Sequence, residues 1–85
     1  MATYSTEEIL ELSPSAKLVF YVLNHHGSLT QQELQSESLL TSRTVRYALT
    51  RLAENGLVDS RSSLKDARQQ IHSLSERGEA IAQRL

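Results

Sequence analysis

Three arginines, a tyrosine and four other hydroxyls are gathered in "TSRTVRYALTR", residues 41–51, of an 85-residue chain whose formal charge is −1. At about 100° of helical rotation per residue, Val45, Ala48, Leu49 and Leu52 fall on one side of this segment. Arg43, Arg46, Tyr47 and Thr50 fall on the other. The first set is a core face and the second a polar stripe. An arginine fork can clamp a phosphate or grip the O6/N7 edge of a guanine with two donors. Tyr47 can touch a thymine methyl or donate to phosphate. Ser42 and Thr44, at the helix start, carry hydroxyls where free N–H groups also suit a phosphate oxygen. Thr50 and Arg51 can help on a backbone. Glu54, the one acid on that side, lies at the far end. The plainer account of each residue is a solvated helix face, with Tyr47 covering apolar neighbours.

Charge is segregated along the chain. Residues 1–40 hold one lysine against five glutamates, whereas Arg43, Arg46, Arg51, Arg61, Lys65 and Arg68 stand against Glu54, Asp59 and Asp66 for a local net of +3. Residues 69–85 balance. A basic segment inside an acidic chain can attract phosphate while the whole stays soluble. A mixed-charge surface of no consequence is the alternative.

The elements that must carry these residues have readable starts and stops. Residues 5–12 suggest a short lead-in helix. Ser13-Pro14 reads as an N-cap with a first-turn proline, and Ala16, Val19, Phe20 and Leu23 follow at helical spacing. Leu18 and Val22 widen that apolar surface, which predicts a central helix. Gly27 closes it as a left-handed residue. Thr30 and Glu33 form a capping box, stapled by Leu29 and Leu34, for a short helix over about 30–36. Gln31 and Gln32 at its start could donate to phosphate. "SESLL" turns the chain without glycine or proline. Thr41 then caps a helix over about 42–55, stapled by Leu40 and Val45, and Asn55-Gly56 ends it, with Leu57 folding back on Leu52. "LVDSR" and "QQIHSL" predict two short strands, 57–61 and 69–73, joined by a polar loop. Ser75 caps a last helix with Ala80, Ile81 and Leu85 on one side. The predicted class is mainly α with a small β-hairpin (α+β), in the order of a winged helix-turn-helix domain spanning residues 1–85. The recognition helix would be about 42–55 and the wing about 57–73.

The totals exclude several classes. A chain of this length supports one small core, burying only about 60% of its unfolded surface, and often leans on a partner. With 39% apolar and 22% charged residues and no cysteine, it reads as globular, without disulfides, thiolate metal sites or a thiol nucleophile. No run approaches a membrane span of about 20 residues. Glu7, Glu8 and Glu11 stand where a signal peptide needs a basic flank, so cytoplasmic, nucleoid-associated residence is the expectation. No nucleophile elbow, P-loop, dinucleotide fingerprint or metal-ligand spacing is present, so an enzyme is not expected and no cofactor is implied.

The second half resembles the winged helix-turn-helix transcription regulators, and the MarR family most closely. Members end the recognition helix in Leu-x-x-x-Gly-Leu-Val, here Leu52-Ala53-Glu54-Asn55-Gly56-Leu57-Val58. They then carry Asp-x-Arg in the wing, here Asp66-Ala67-Arg68, and a Leu-Thr/Ser-x-x-Gly stretch eight residues after the aspartate, here Leu74-Ser75-Glu76-Arg77-Gly78. The match covers about residues 15–80. The resemblance implies that Arg68 reaches a minor groove and that Asp66 helps hold it, in keeping with the negative potential of a narrow groove. Ala67 stands where many relatives have a further arginine. Lys65 and Arg61 could compensate at phosphates. A hairpin-stabilising ion pair is the other account of Asp66 and Arg68. Relatives are longer and dimerise through extended terminal helices, so the chain resembles a short form without them. A homodimer through the N- and C-terminal helices is expected, using Ile9, Leu12, Ile81 or Leu85, unless those residues close the monomer's own core.

The function implied is sequence-specific binding of double-stranded DNA by a transcription regulator. One alternative is a winged-helix protein-interaction module without DNA binding of its own. Another is a metal-responsive regulator resembling the ArsR family, for which His25, His26 and His72 are the only nitrogen ligands. Adjacent helical histidines diverge by about 100°, which favours helix-end residues near the C-terminal dipole.

Overall fold

A computed structural model describes residues 7–85, so Ser5 and Thr6 of the expected lead-in helix lie outside the described residues. The elements run α1 (Glu7–Leu10), α2 (Pro14–His26), β1 (Ser28–Thr30), α3 (Gln31–Ser38), α4 (Ser42–Glu54), β2 (Val58–Ser62), β3 (Gln70–Leu74) and α5 (Glu76–Ala82).

Each start has the cap that its sequence offers. Ser13 Oγ accepts from Ala16 N–H ahead of Pro14 in the first turn of α2. Thr30 Oγ1 accepts from Glu33 N–H while Glu33 Oε1 accepts from Thr30 N–H, which closes the capping box of α3. Thr41 and Ser75 cap α4 and α5 in the same way. These side chains supply partners for helix-start N–H groups that have none inside the helix.

The stops are less uniform. Gly56, at φ 70°, ends α4 with Gly56 N–H donating to Ala53 O and Leu57 N–H to Leu52 O, the paired bonds of a Schellman turn. Gly27 also has positive φ, but at φ 91° and ψ −74° it is not in the left-handed helical region that was expected of it. The turn between α3 and α4 uses Leu39 at φ 62° and ψ 17°, a conformation that costs a side-chain-bearing residue about 1–2 kcal/mol. Buried Ser38 supports it, donating to Leu34 O and accepting from Leu40 N–H.

The sheet is larger than the expected hairpin. Its order is β1-β3-β2, all antiparallel, with Leu29 opposite His72 on one edge of β3 and Ser60 opposite His72 on the other. Three residues are too few for strand periodicity to show, so residues 28–30 read in sequence only as the approach to a helix cap.

One buried cluster runs from Ile9 through Phe20, Leu34, Val45, Leu52 and Leu57 to Ile81. Helix α2 packs against α3, α4 and β3, the central position its apolar spacing predicts. Leu18 nevertheless stays exposed and Val22 only half-buried. Ile9 and Ile81 are buried in the chain's own core, which removes them from a partner-facing surface; Leu10 and Leu85 are the exposed apolar residues at the two ends.

Candidate nucleic-acid interface

Helix α4 buries Val45, Ala48, Leu49 and Leu52 and turns Arg43, Arg46, Tyr47, Thr50 and Arg51 to solvent. Between its exposed face and the sheet lies an open groove of about 700 Å³. Arg46 and Thr50 stand on its helix side, Gln32 and Gln35 come from α3, and Arg68, Gln69 and Gln70 stand on its wing side. Leu49 and Ala53 line it between them, with Ser60 and His72 from the sheet. Two guanidiniums and no carboxylate line this groove, so it is electropositive in a chain of net charge −1. Amides supply most of the remaining polarity, and an amide can donate and accept.

Several expected roles change once partners are visible. Gln31 is half-buried, and its Nε2 donates to Ser42 Oγ at 2.9 Å and to Ser42 O at 3.3 Å. The amide nitrogen of Gln31, which also lines the groove, thus faces the start of α4. It ties the start of α3 to the start of α4. Ser42 Oγ accepts that bond, so its own proton remains free to donate outward. Gln32 is exposed at the groove's edge, where its donors are available.

Thr50 Oγ1 donates to Arg46 O at 3.0 Å, which spends its proton inside the helix and leaves a methyl and an acceptor on the surface. Thr44 Oγ1 accepts from Thr41 Oγ1 at 3.0 Å and keeps its own proton. Arg51 Nη1 lies 3.3 Å from Glu54 Oε1, an exposed pair in the last turn. Arg43, Arg46 and Tyr47 are exposed on the first two turns.

On the wing, Arg61 is exposed near the end of β2 and Lys65 on the connecting loop. Asp66 Oδ1 accepts from Arg68 N–H at 3.0 Å and lies 3.3 Å from Arg68 Nε. The aspartate shapes the turn and restrains the guanidinium at one nitrogen, while the Arg68 side chain remains 92% exposed. Its terminal nitrogens are thus presented outward. As an exposed pair it adds little to stability.

His72 is buried at the bottom of the groove, with Ser60 Oγ 2.7 Å from Nδ1. Burial lowers its pKa from the ordinary imidazole value. His26 pairs with Glu37 at 3.3 Å from the last turn of α2. Among the described residues no three histidine or acidic side chains converge as a metal site, and no helix is long and apolar enough to cross a membrane. Gln35, Gln69, Gln70, Ser60 and His72 were not anticipated at the groove. Gln35 comes from α3, while the others are brought there by the β2–β3 hairpin, whose docking beside α3 and α4 through β1 no local pattern announces.

A family model described as the MarR family matches residues 10–69. Among solved structures, a probable transcriptional regulator from Pseudomonas aeruginosa is 25% identical, with a TM-score of 0.81 over 86% of this chain and 55% of its own. Reduced AbfR bound to DNA is 26% identical, with a TM-score of 0.80 over 93% of this chain and 57% of its own. A cysteine-to-serine mutant of MarR from E. coli, complexed with operator DNA, shares the fold at 21% identity and a TM-score of 0.81, over 93% and 58% of the two chains. This chain thus spans a little over half the length of those structures. No curated protein matches the sequence.

Proposed function

The chain belongs to the MarR family, with its winged-helix transcription-regulator fold, and we propose that it binds double-stranded DNA sequence-specifically as a single winged helix-turn-helix domain. The observation that carries this is the groove between α4 and the wing, flanked by Arg46 and Arg68 with no carboxylate in its lining. AbfR, a relative in fold and sequence, is bound to DNA in its structure.

In this reading α4 lies in a major groove by its N-terminal half. Arg43, Arg46 and Tyr47 reach base edges. Ser42, Thr44 and the free N–H groups of the first turn hold a phosphate, with Gln32 and Arg51 on the flanking backbone. Thr50 offers its methyl to a thymine. Gln31 positions Ser42. Arg68 enters the adjacent minor groove, with Arg61 and Lys65 at its phosphates. One copy presents one α4 and one wing and so covers one half-site, and two half-sites need two copies. We place the pairing surface at the terminal helices, where Leu10 and Leu85 are exposed and Arg77 Nη2 of α5 binds Glu8 Oε1 of α1. The reading also carries no catalytic activity and a cytoplasmic location.

The test is a titration onto labelled duplex DNA from low to physiological salt, followed by selection of a preferred site from a random pool. Log affinity should fall linearly with log salt, and Arg46→Ala should weaken the selected site by ~1–3 kcal/mol. Absence of binding at low salt, or an indifferent Arg46→Ala, removes the reading.

A further inference from the structure

Among the described residues, the large apolar side chain with the greatest exposure is neither on α4 nor at a terminal helix. It is Leu64, at 105% exposure, on the loop that joins β2 to β3. The loop around it is built. Ser63 N–H donates to Gln69 O and Gln69 N–H to Asp66 O, each at 2.9 Å, while Ser63 Oγ accepts from Lys65 N–H at 3.2 Å. With Asp66 holding Arg68 N–H, these bonds fix a tip that turns Leu64 outward beside Lys65. Leaving a leucine in water forgoes the gain from burying it. A solvated hairpin tip has no need of one.

We propose that Leu64 is a minor-groove wedge, an apolar side chain that enters between base steps while Lys65 and Arg68 hold the flanking backbone and groove. This rests on the DNA-binding reading above. Three observations support it. The tip belongs to the wing whose Arg68, Gln69 and Gln70 border the groove beside α4, so a major groove filled by α4 brings the adjacent minor groove to the tip. The flanking charge, Arg61, Lys65 and Arg68 against Asp66, is net positive, as a groove of negative potential demands. The apolar surface is a single side chain rather than a patch, far below the ~1,000 Å² of a specific protein interface, but ample for a wedge that unstacks one step. Such a wedge favours pyrimidine–purine steps, which unstack readily, over stiff A-tracts.

The experiment uses the full chain, its selected duplex, and Leu64→Ala beside Leu64→Met. Leu64 is outside the core, so both variants should melt as the wild type does. Leu64→Ala should bind about tenfold more weakly, with an unchanged salt slope and a smaller bend between fluorophores at the duplex ends. Leu64→Met should keep most of the bend. Replacing the step under the tip by an A-tract should weaken the wild type and leave Leu64→Ala unaffected. Unchanged affinity and bend in Leu64→Ala overturns the wedge and leaves the DNA-binding reading standing. A wild type that selects no duplex and shows no salt-dependent binding overturns both.

Discussion

Gly78 has no room for a methyl group. A Cβ there would lie 2.3 Å from the carbonyl oxygen of Leu57 and 3.4 Å from Leu74 Cβ. The same neighbourhood holds Ser75 Oγ, which donates to Gly56 O and accepts from Gly78 N–H. The Gly-Leu-Val and Leu-Ser-x-x-Gly stretches of the sequence are thus two sides of one contact, between the end of α4 and the start of α5. Gly78→Ala must push a backbone carbonyl aside and should cost ~2–3 kcal/mol, lowering the melting midpoint by roughly 8–24 °C; a midpoint within a degree or two of wild type would show that α5 can shift freely. His72 yields a pH prediction. Burial lowers its pKa, so the fold favours the neutral ring that can accept a hydrogen bond from Ser60. As pH falls below the ordinary value of 6.5, the unfolded chain takes up this proton first. The contribution is complete above that value and is lost as pH falls through the folded pKa. Urea midpoints measured from pH 7.5 to 5 should drop for the wild type, and less for His72→Gln; equal drops would assign the effect elsewhere. The arginine stripe was legible in sequence because one helix carries it at one period. Gln31 and His72 were not, because their partners, Ser42 and Ser60, come from other elements.

At the scale of elements, the helix-turn-helix is held by its turn and by one side-chain bridge. Gln31 bonds Ser42 across the two helix starts. Gln31→Ala should therefore cost ~0.5–1.5 kcal/mol by urea unfolding and loosen the angle at which α4 is presented. A variant as stable as the wild type would mean that Leu34 and Val45 set that angle alone. The helices were legible because caps and apolar period agree: Ser13-Pro14, the Thr30–Glu33 box and Thr41 each lie where the structure starts a helix. Leu39 was not legible as a left-handed residue. Nothing in "SESLL" supplies the glycine or asparagine such a turn prefers, and the strain is held by Ser38 and by Leu39 N–H donating to Gln35 O. Strand β1 escaped for a different reason. Its partner, residues 71–73, lies across the whole helix-turn-helix in sequence.

For the molecule as a whole, the feature that unites helix pair and wing is the central strand. β3 is hydrogen-bonded on both edges, to β1 just before α3 and to β2 just after α4. Thr30 ends β1, caps α3 and stands opposite Ile71, so the spacing between α3 and the wing is set by main chain rather than by side chains. Amide exchange should follow this plan. Ile71, His72 and Ser73 should be protected like the core of α2, while Leu64, Asp66 and Ala67 on the connecting loop exchange orders of magnitude faster. Fast exchange in β3 would mean that the wing hinges independently. The arrangement also fixes an order in time. Helices α3 and α4 are neighbours in sequence and can pair at little entropic cost, whereas the pairing of Ser28 with Ser73 closes a loop that encloses both of them. A chain emerging from synthesis therefore has its helix pair before it has the clasp. The sheet is complete only when the last third of the sequence arrives and threads its strand between the two already waiting.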